Sequence, residues 1–188
     1  NMIGEKGLPI EALQRDIAWL LETASKILPT SLQLAATVCL EHYTAIIAEQ
    51  LLREPEHQKM IQDTNALKMW MWHAVEENEH KNVAFDLYQK TVGNYWLRAG
   101  TMIPTTIILA VVMVIFQGRM MLADKQLLNV RQNARGMAYL WGRKGLFPRL
   151  APQFFDFFRR DFHPSQHDTD ALLADWSEKL FGKDGMLN

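Results

Sequence analysis

Two histidines and three glutamates lie within the eight residues from His73 to His80, in the segment WHAVEENEHKNVAF. In a helix, Glu77 and His80 stand one turn apart on one side, and His73 stands one turn before Glu77. This spacing aims a carboxylate oxygen and an imidazole nitrogen at one point, which is how helical bundles build half of a di-iron site. The pattern therefore predicts His73, Glu77 and His80 as metal ligands, with Glu76 beside them.

Apolar residues continue the same face of the predicted helix, from Met69 and Trp70 before the cluster to Leu87 and Tyr88 after it. A carboxylate that points into such an interior is costly unless it is paired, protonated or bound to metal. Few cations face inward here, because Lys81 is expected toward the flank. Asn78, which is uncharged, is expected toward solvent. The alternative is that these side chains pair only with one another or with arginines of other helices.

A further inward carboxylate is predicted on the preceding helix, in the segment LAATVCLEHYTAIIAEQLL. Glu41 shares its face with small and apolar residues such as Ala45 and Ala48. A single glutamate of this kind is what the other helices contribute to a ferritin-like site, so Glu41 is predicted as a fourth ligand. On the same helical wheel His42 faces away from Glu41, and Glu49 is expected in solvent.

The elements that must carry these residues are helices, because alternating β-branched runs are scarce and proline and glycine punctuate the chain. We expect an all-α protein with helices at 9–28, 30–54 and 64–92, and shorter ones near 124–141, 151–159 and 168–181. Thr30 or Ser31 should cap the second helix, and Asp168 the last. The 188 residues suit one helical domain, with metal-site helices in 1–95 and an apolar helix, a basic segment and C-terminal helices in 96–188.

An uncharged apolar segment lies between Arg98 and Arg119, and residues 119–160 then carry nine basic and two acidic side chains. The apolar segment suits a buried or dimer-forming core helix, an interfacial helix or a membrane span, in that order. The basic block fits an anionic membrane surface, although solvated helix faces can also be basic without a partner. A homo-oligomer is compatible with the first alternative.

Other features restrict compartment and function. The single cysteine, Cys39, and the absence of a signal-peptide pattern favour the cytoplasm, with membrane association left open. The sequence has no glycine-rich phosphate loop, no serine nucleophile elbow and no aromatic-interleaved basic stretch, so nucleic acid is not an expected partner. His163 and His167, in FHPSQHD, suit either contacts around a site or simple turn chemistry.

Three segments, LEHYTA, WHAVEENEHKNVAFDLY and FHPSQHDTDALLADW, resemble the bacterial family of predicted metal-dependent hydrolases, which belongs with the ferritin-like helical proteins. The resemblance implies a partial ferritin-like bundle with additional C-terminal helices. It matches Glu41 to the family's Leu-Glu-His motif, and His73, Glu76, Glu77 and His80 to its longer motif. Family members open with two further ligand motifs that this sequence lacks, so we expect the downstream portion of a longer protein and at most half of a two-metal site.

Three functions remain open at this stage. In the hydrolytic one, divalent Fe, Zn or Mn ions activate water and Glu76 is the candidate catalytic base, acting on a small-molecule or lipid-like substrate. In the oxidative one, a pair of irons activates dioxygen, as in ferritin-like di-iron proteins. In the third, the protein binds metal or a membrane without catalysis.

Overall fold

The computed structural model describes residues 9–187, and this part of the chain is helical without a strand, which confirms the all-α prediction. A short 3-10 turn, Pro164–Gln166, precedes the last helix. The α-helices are α1 (Ile10–Ile27), α2 (Thr30–Arg53), α3 (Pro55–Gln58), α4 (Thr64–Glu79), α5 (Val83–Thr91), α6 (Tyr95–Ala123), α7 (Val130–Trp141), α8 (Leu146–Asp156) and α9 (Asp170–Phe181).

Helix α2 is the central element, and α4, α5, α6 and α8 pack around it. Its first half enters one apolar cluster with α5, α6 and the chain after α8, where Cys39, Tyr88 and Met102 are fully buried. Its second half enters another cluster with α4 and α9, where Ala48, Met71 and Leu180 lie. The burial of α2 in both clusters fixes the rotation of this helix, and with it the direction of its polar side chains.

The predicted 64–92 helix is interrupted at residues 80–82, and this is the main correction to the sequence-based elements. Helix α4 ends at Glu79, His80 is its C-cap with φ −102° and ψ 7°, and α5 begins at Val83. Residues 80–82 contain no proline or glycine that would predict the break. Instead the ammonium of Lys81 is drawn into the protein, where it donates to the carbonyl of His167 and to Thr169 Oγ1.

Gly93 closes α5 as expected, with a left-handed φ of +60° that favours glycine. Other boundaries were predicted wrongly: α7 begins at residue 130 rather than 124, and α8 spans 146–156 rather than 151–159. Asn129 caps α7 by accepting from the backbone N–H of Gln132 at 3.2 Å. The asparagine, not the preceding apolar pattern, therefore sets the start of that helix.

The two predicted N-caps also differ from the structure. Pro29, not Thr30 or Ser31, occupies the N-cap of α2, and no side chain caps that helix. Thr169 is the N-cap of α9, while Asp168 Oδ1 accepts from the N–H of Asp170 at 3.0 Å from one position further out.

Helix α6 contains the whole uncharged segment and runs through Pro104. Its inner side packs on α2 through Ala99, Met102 and Thr105, which are buried. By length and composition α6 could cross a membrane, and 17% of its most apolar window is buried. Core helices of soluble proteins meet the same criterion.

The buried guanidinium of Arg98 joins α6 to the end of α8. Its Nη1 donates to the carbonyl of Phe157 at 2.5 Å and its Nη2 to the carbonyl of Arg159 at 2.8 Å. The same group lies over the ring of Phe157, 4.9 Å from its centroid. The cation thereby satisfies carbonyls that the end of α8 leaves without helical partners.

Candidate metal centre

Glu41, Glu77 and His80 come together where α2 passes the end of α4. One ligand atom from each lies within 4.8 Å of the others, and all three side chains are partly buried. Nδ1 of His80 is 3.4 Å from Oε2 of Glu41. The structure thus brings together three of the four residues predicted as ligands.

Small residues allow α2 and α4 to approach closely beside this cluster. Ala48 lies in the same buried cluster as Met71 and Ala74, whereas Glu41, about two turns earlier in α2, contacts His80 near the end of α4. The two helices therefore run antiparallel. Alanines at their interface let the backbones come near enough for side chains of glutamate length to meet.

His73 has a different position from the three clustered residues. Its Nε2 lies 3.3 Å from Oε1 of Glu77, and its side chain is 48% exposed whereas that of Glu77 is 14% exposed. It lies outside the three-residue group. This geometry suits a histidine that orients the Glu77 carboxylate, and its predicted role as a direct ligand stays a prediction.

Glu76 is half-buried and also lies outside the three-residue group. Its carboxylate makes no hydrogen bond or ion pair to another residue between 9 and 187. The role of Glu76 as a base stays a prediction.

The residues present fit a divalent metal ion. Oε2 of Glu41 is buried and has no hydrogen-bond partner, since its 3.4 Å approach to His80 is not a hydrogen bond. A buried carboxylate oxygen without a partner is costly, and a cation between Glu41, Glu77 and His80 would satisfy it. Two carboxylates and one imidazole suit Fe, Mn or Zn, and three protein ligands leave coordination positions open.

Two polar residues of α2 lie elsewhere than the helical wheel predicted. His42 and Glu49 are buried, because the buried face of α2 runs through Val38, His42 and Glu49 and leaves Glu41 at its edge. Glu49 accepts from Gln153 Nε2 at 2.7 Å and from its helix neighbour Arg53 at 2.6 Å. Apolar residues line α2 on almost every side, so the helical wheel did not single out this face.

His42 stays neutral in this position. Its Nε2 is 3.1 Å from the carbonyl oxygen of Gln153. Burial, reinforced by the nearby His167, lowers the pKa of His42 from 6.5 to about 4. The residue next to Glu41 in sequence is thus part of the core rather than of the metal cluster.

Sequence reasoning also missed a buried polar group behind the cluster. Asn78 and Lys81 were expected on the solvent side or flank, yet both are buried. With His42, Glu49 and His167 they line a cavity of about 10 Å³, enough for one water molecule. Helical periodicity does not predict that Lys81 is buried. The sequence offers only its position directly after His80 as a reason to consider it.

His163 and His167 hold the turn before α9. His163 Nε2 is 2.8 Å from Asp86 Oδ1, and its Nδ1 accepts from the backbone N–H of Ser165 at 3.2 Å. His167 Nε2 is 3.1 Å from Asp156 Oδ2. These contacts favour turn chemistry over contact with the metal cluster.

The chain is all-α in the part that the structure describes, and at the contact of two antiparallel helices it gathers two glutamates and a histidine that could hold a metal ion. The chain is a member of the family described as predicted metal-dependent hydrolase, whose model matches residues 1–168. No curated protein and no solved structure matches the chain.

Proposed function

We propose that the protein is a metal-dependent hydrolase that uses Glu41, Glu77 and His80 as ligands. The observation that supports this most is the buried, unpartnered Oε2 of Glu41 facing the other two donors. A bound divalent ion would supply a water of lowered pKa and would polarise an ester, amide or phosphoryl oxygen. The family description points to the same reaction class.

The remaining polar residues act on the ligands and on protons. His73 holds the Glu77 carboxylate in a fixed rotamer through the 3.3 Å contact of its Nε2 with Oε1. Glu76, half-buried and without a described partner, accepts the proton released when water attacks. The substrate we propose is a small or lipid-like molecule, and the 44% exposure of His80 leaves the cluster accessible to it.

The whole protein is further proposed to hold two ions in a ferritin-like arrangement. In such bundles one helix gives a single glutamate and another gives Glu-x-x-His, which is the contribution of α2 and α4 here. The same observation supports a second candidate, a di-iron oxidoreductase that activates dioxygen, because this donor pattern is shared with that class. Metal binding without catalysis is the third candidate function.

Metal loading and assay separate these candidates. The protein is loaded with Zn, Mn or Fe(II) in turn and tested against chromogenic carboxyl and phosphoryl esters. The hydrolase proposal predicts turnover with Zn or Mn, and a loss of about 10²- to 10⁴-fold in Glu76→Gln without loss of metal. Glu79→Gln, an exposed position on the same helix, is the matched control.

The outcomes are distinct. Near-ultraviolet oxo-to-iron absorption with oxygen uptake, and no ester turnover with any metal, would overturn the hydrolase in favour of the oxidoreductase. Tight metal binding with neither reaction would favour the non-enzymatic role.

A further inference from the structure

Helix α7 presents its apolar side outward. Val130, Ala134, Met137 and Trp141 recur every three or four residues on one face. Val130 is 77% exposed, Met137 57% and Trp141 62%. A surface helix of a soluble domain turns such a stripe toward the core, so this one lacks its apolar partner.

The opposite side of α7 is the one that meets the protein. Tyr139 Oη lies 2.5 Å from Nδ1 of the buried His57 on α3, and the two rings are in edge contact. Leu140 is partly buried. The outward position of the stripe therefore follows from specific contacts on the other face.

Unpaired cations lie along one flank of the stripe and directly after the helix. Arg131, Arg135, Arg143 and Lys144 are exposed, and none makes a hydrogen bond or ion pair with another residue in the described range 9–187. The sequence from 125 to 155 contains no aspartate or glutamate. An apolar stripe flanked by cations is the composition of helices that lie in the plane of a membrane interface.

The preceding helix adds apolar surface to the same segment of the chain. Ile103, Ile107, Val111 and Val114 follow the outer side of α6 at helical spacing, and all are exposed. No charge occurs between Arg98 and Arg119. This aliphatic surface is larger than scattered surface residues would give.

A second copy of the chain is a poor occupant for the α7 stripe. In a two-fold contact, Arg131 and Arg135 would approach the same cations of the other copy. With no acidic residue from 125 to 155, that contact could not compensate the charge. Anionic lipid headgroups supply both the negative charge and, beneath them, an apolar layer.

We infer that α7 docks in the plane of an anionic lipid surface. Its stripe enters the boundary of the acyl chains, and Arg131, Arg135, Arg143 and Lys144 meet the headgroups. Trp141, at the end of the helix and 4.5 Å from the ring of Phe147, lies at the depth where aromatic rings favour the interface. This inference is independent of the reaction at the metal centre.

Vesicle flotation tests the inference on the whole protein. Vesicles contain phosphatidylcholine alone, or phosphatidylcholine with roughly one-third phosphatidylglycerol, which gives the charge of an anionic leaflet. The protein is expected to float only with the anionic vesicles, and at least tenfold less in high salt, since exposed charges are screened. Absence of flotation at low salt, or equal flotation with neutral vesicles, would overturn the inference.

Charge reversal provides the matched comparison. R131E/R135E is expected to lower binding to anionic vesicles at least tenfold. K90E/K183E makes the same change in net charge at exposed positions outside α7 and outside the α3 segment that contacts it, and should bind like the unmodified protein. Equal loss in both variants, or no loss in either, would contradict a role for α7.

The apolar stripe is tested separately. Met137→Asp should lose binding, whereas Met69→Asp, at a similarly exposed methionine of α4, should not. A dye attached to Met137→Cys should shift to the blue with anionic vesicles, and one on Lys90→Cys should not. The buried Cys39 does not compete for label.

Two results would contradict the inference and indicate a different role for these apolar surfaces. Flotation that survives high salt and alkaline extraction would show that α6 spans the bilayer. A Met137→Asp protein of lower molecular mass in solution than the unmodified one, with no vesicle binding by either, would show that a second copy covers the stripe.

Discussion

Nδ1 of His80 lies 3.4 Å from Oε2 of Glu41, across the contact of α2 with α4. His80 makes this approach from the C-cap position of α4, at the break that follows Glu79. Lys81 fixes the break through its bonds to the His167 carbonyl and to Thr169 Oγ1. The turn before α9 therefore helps to position a candidate ligand.

Replacing Lys81 tests that connection. Lys81→Met removes a buried ammonium and leaves the His167 carbonyl and the Thr169 hydroxyl without their donor. We expect a loss of about 1 to 3 kcal/mol in the free energy of unfolding, measured by urea denaturation. Lys90→Met, at an exposed position, should change it by less than about 0.5 kcal/mol. Equal effects would mean that the Lys81 contacts do not stabilise the break.

Arg98 is expected to be among the most sensitive structural positions. Arg98→Met would leave the carbonyls of Phe157 and Arg159 without a donor and remove the cation over the Phe157 ring. The free energy of unfolding should fall by about 2 to 4 kcal/mol. Arg98→Lys should recover only part of it, since a single ammonium cannot reproduce the two-pronged guanidinium contact. Full recovery with lysine would contradict this geometry.

Cys39 offers a probe of global unfolding. The thiol is buried, and burial raises its pKa to about 12, so it stays protonated near pH 8. Alkylation at pH 8 should therefore be slow and should rise with denaturant in parallel with the loss of helical circular dichroism. Rapid labelling of the folded protein would show that the core around Cys39 opens locally.

The helical class, the start of α2, the glycine after α5 and the convergence of Glu41 with Glu77 and His80 could be anticipated from local pattern and residue spacing. The break at 80–82 could not, because it depends on contacts of Lys81 with residues far along the chain. Nor could the burial of His42 and Glu49. Helix α2 is apolar on most sides, so its buried face is set by tertiary packing, which includes the contacts of both residues with Gln153 of α8.

Substitution of His73 tests whether this residue binds the metal directly or orients the ligand Glu77. Because its Nε2 contacts Glu77 and it lies outside the three-residue group, His73→Ala should weaken metal affinity about 10- to 100-fold without abolishing binding. Metal titration by calorimetry measures this. Complete loss of binding, equal to that of Glu77→Ala, would show instead that His73 is a direct ligand.

The most direct test of the metal centre is the metal content per chain after reconstitution and removal of free ions, measured by elemental analysis. The unmodified protein should retain metal, Glu77→Ala and His80→Ala should lose most of it, and Glu79→Ala, on the exposed side of α4, should retain it. Circular dichroism of each variant verifies the fold. Equal retention in all four proteins, or equal loss in the three variants, would contradict a metal centre at Glu41, Glu77 and His80.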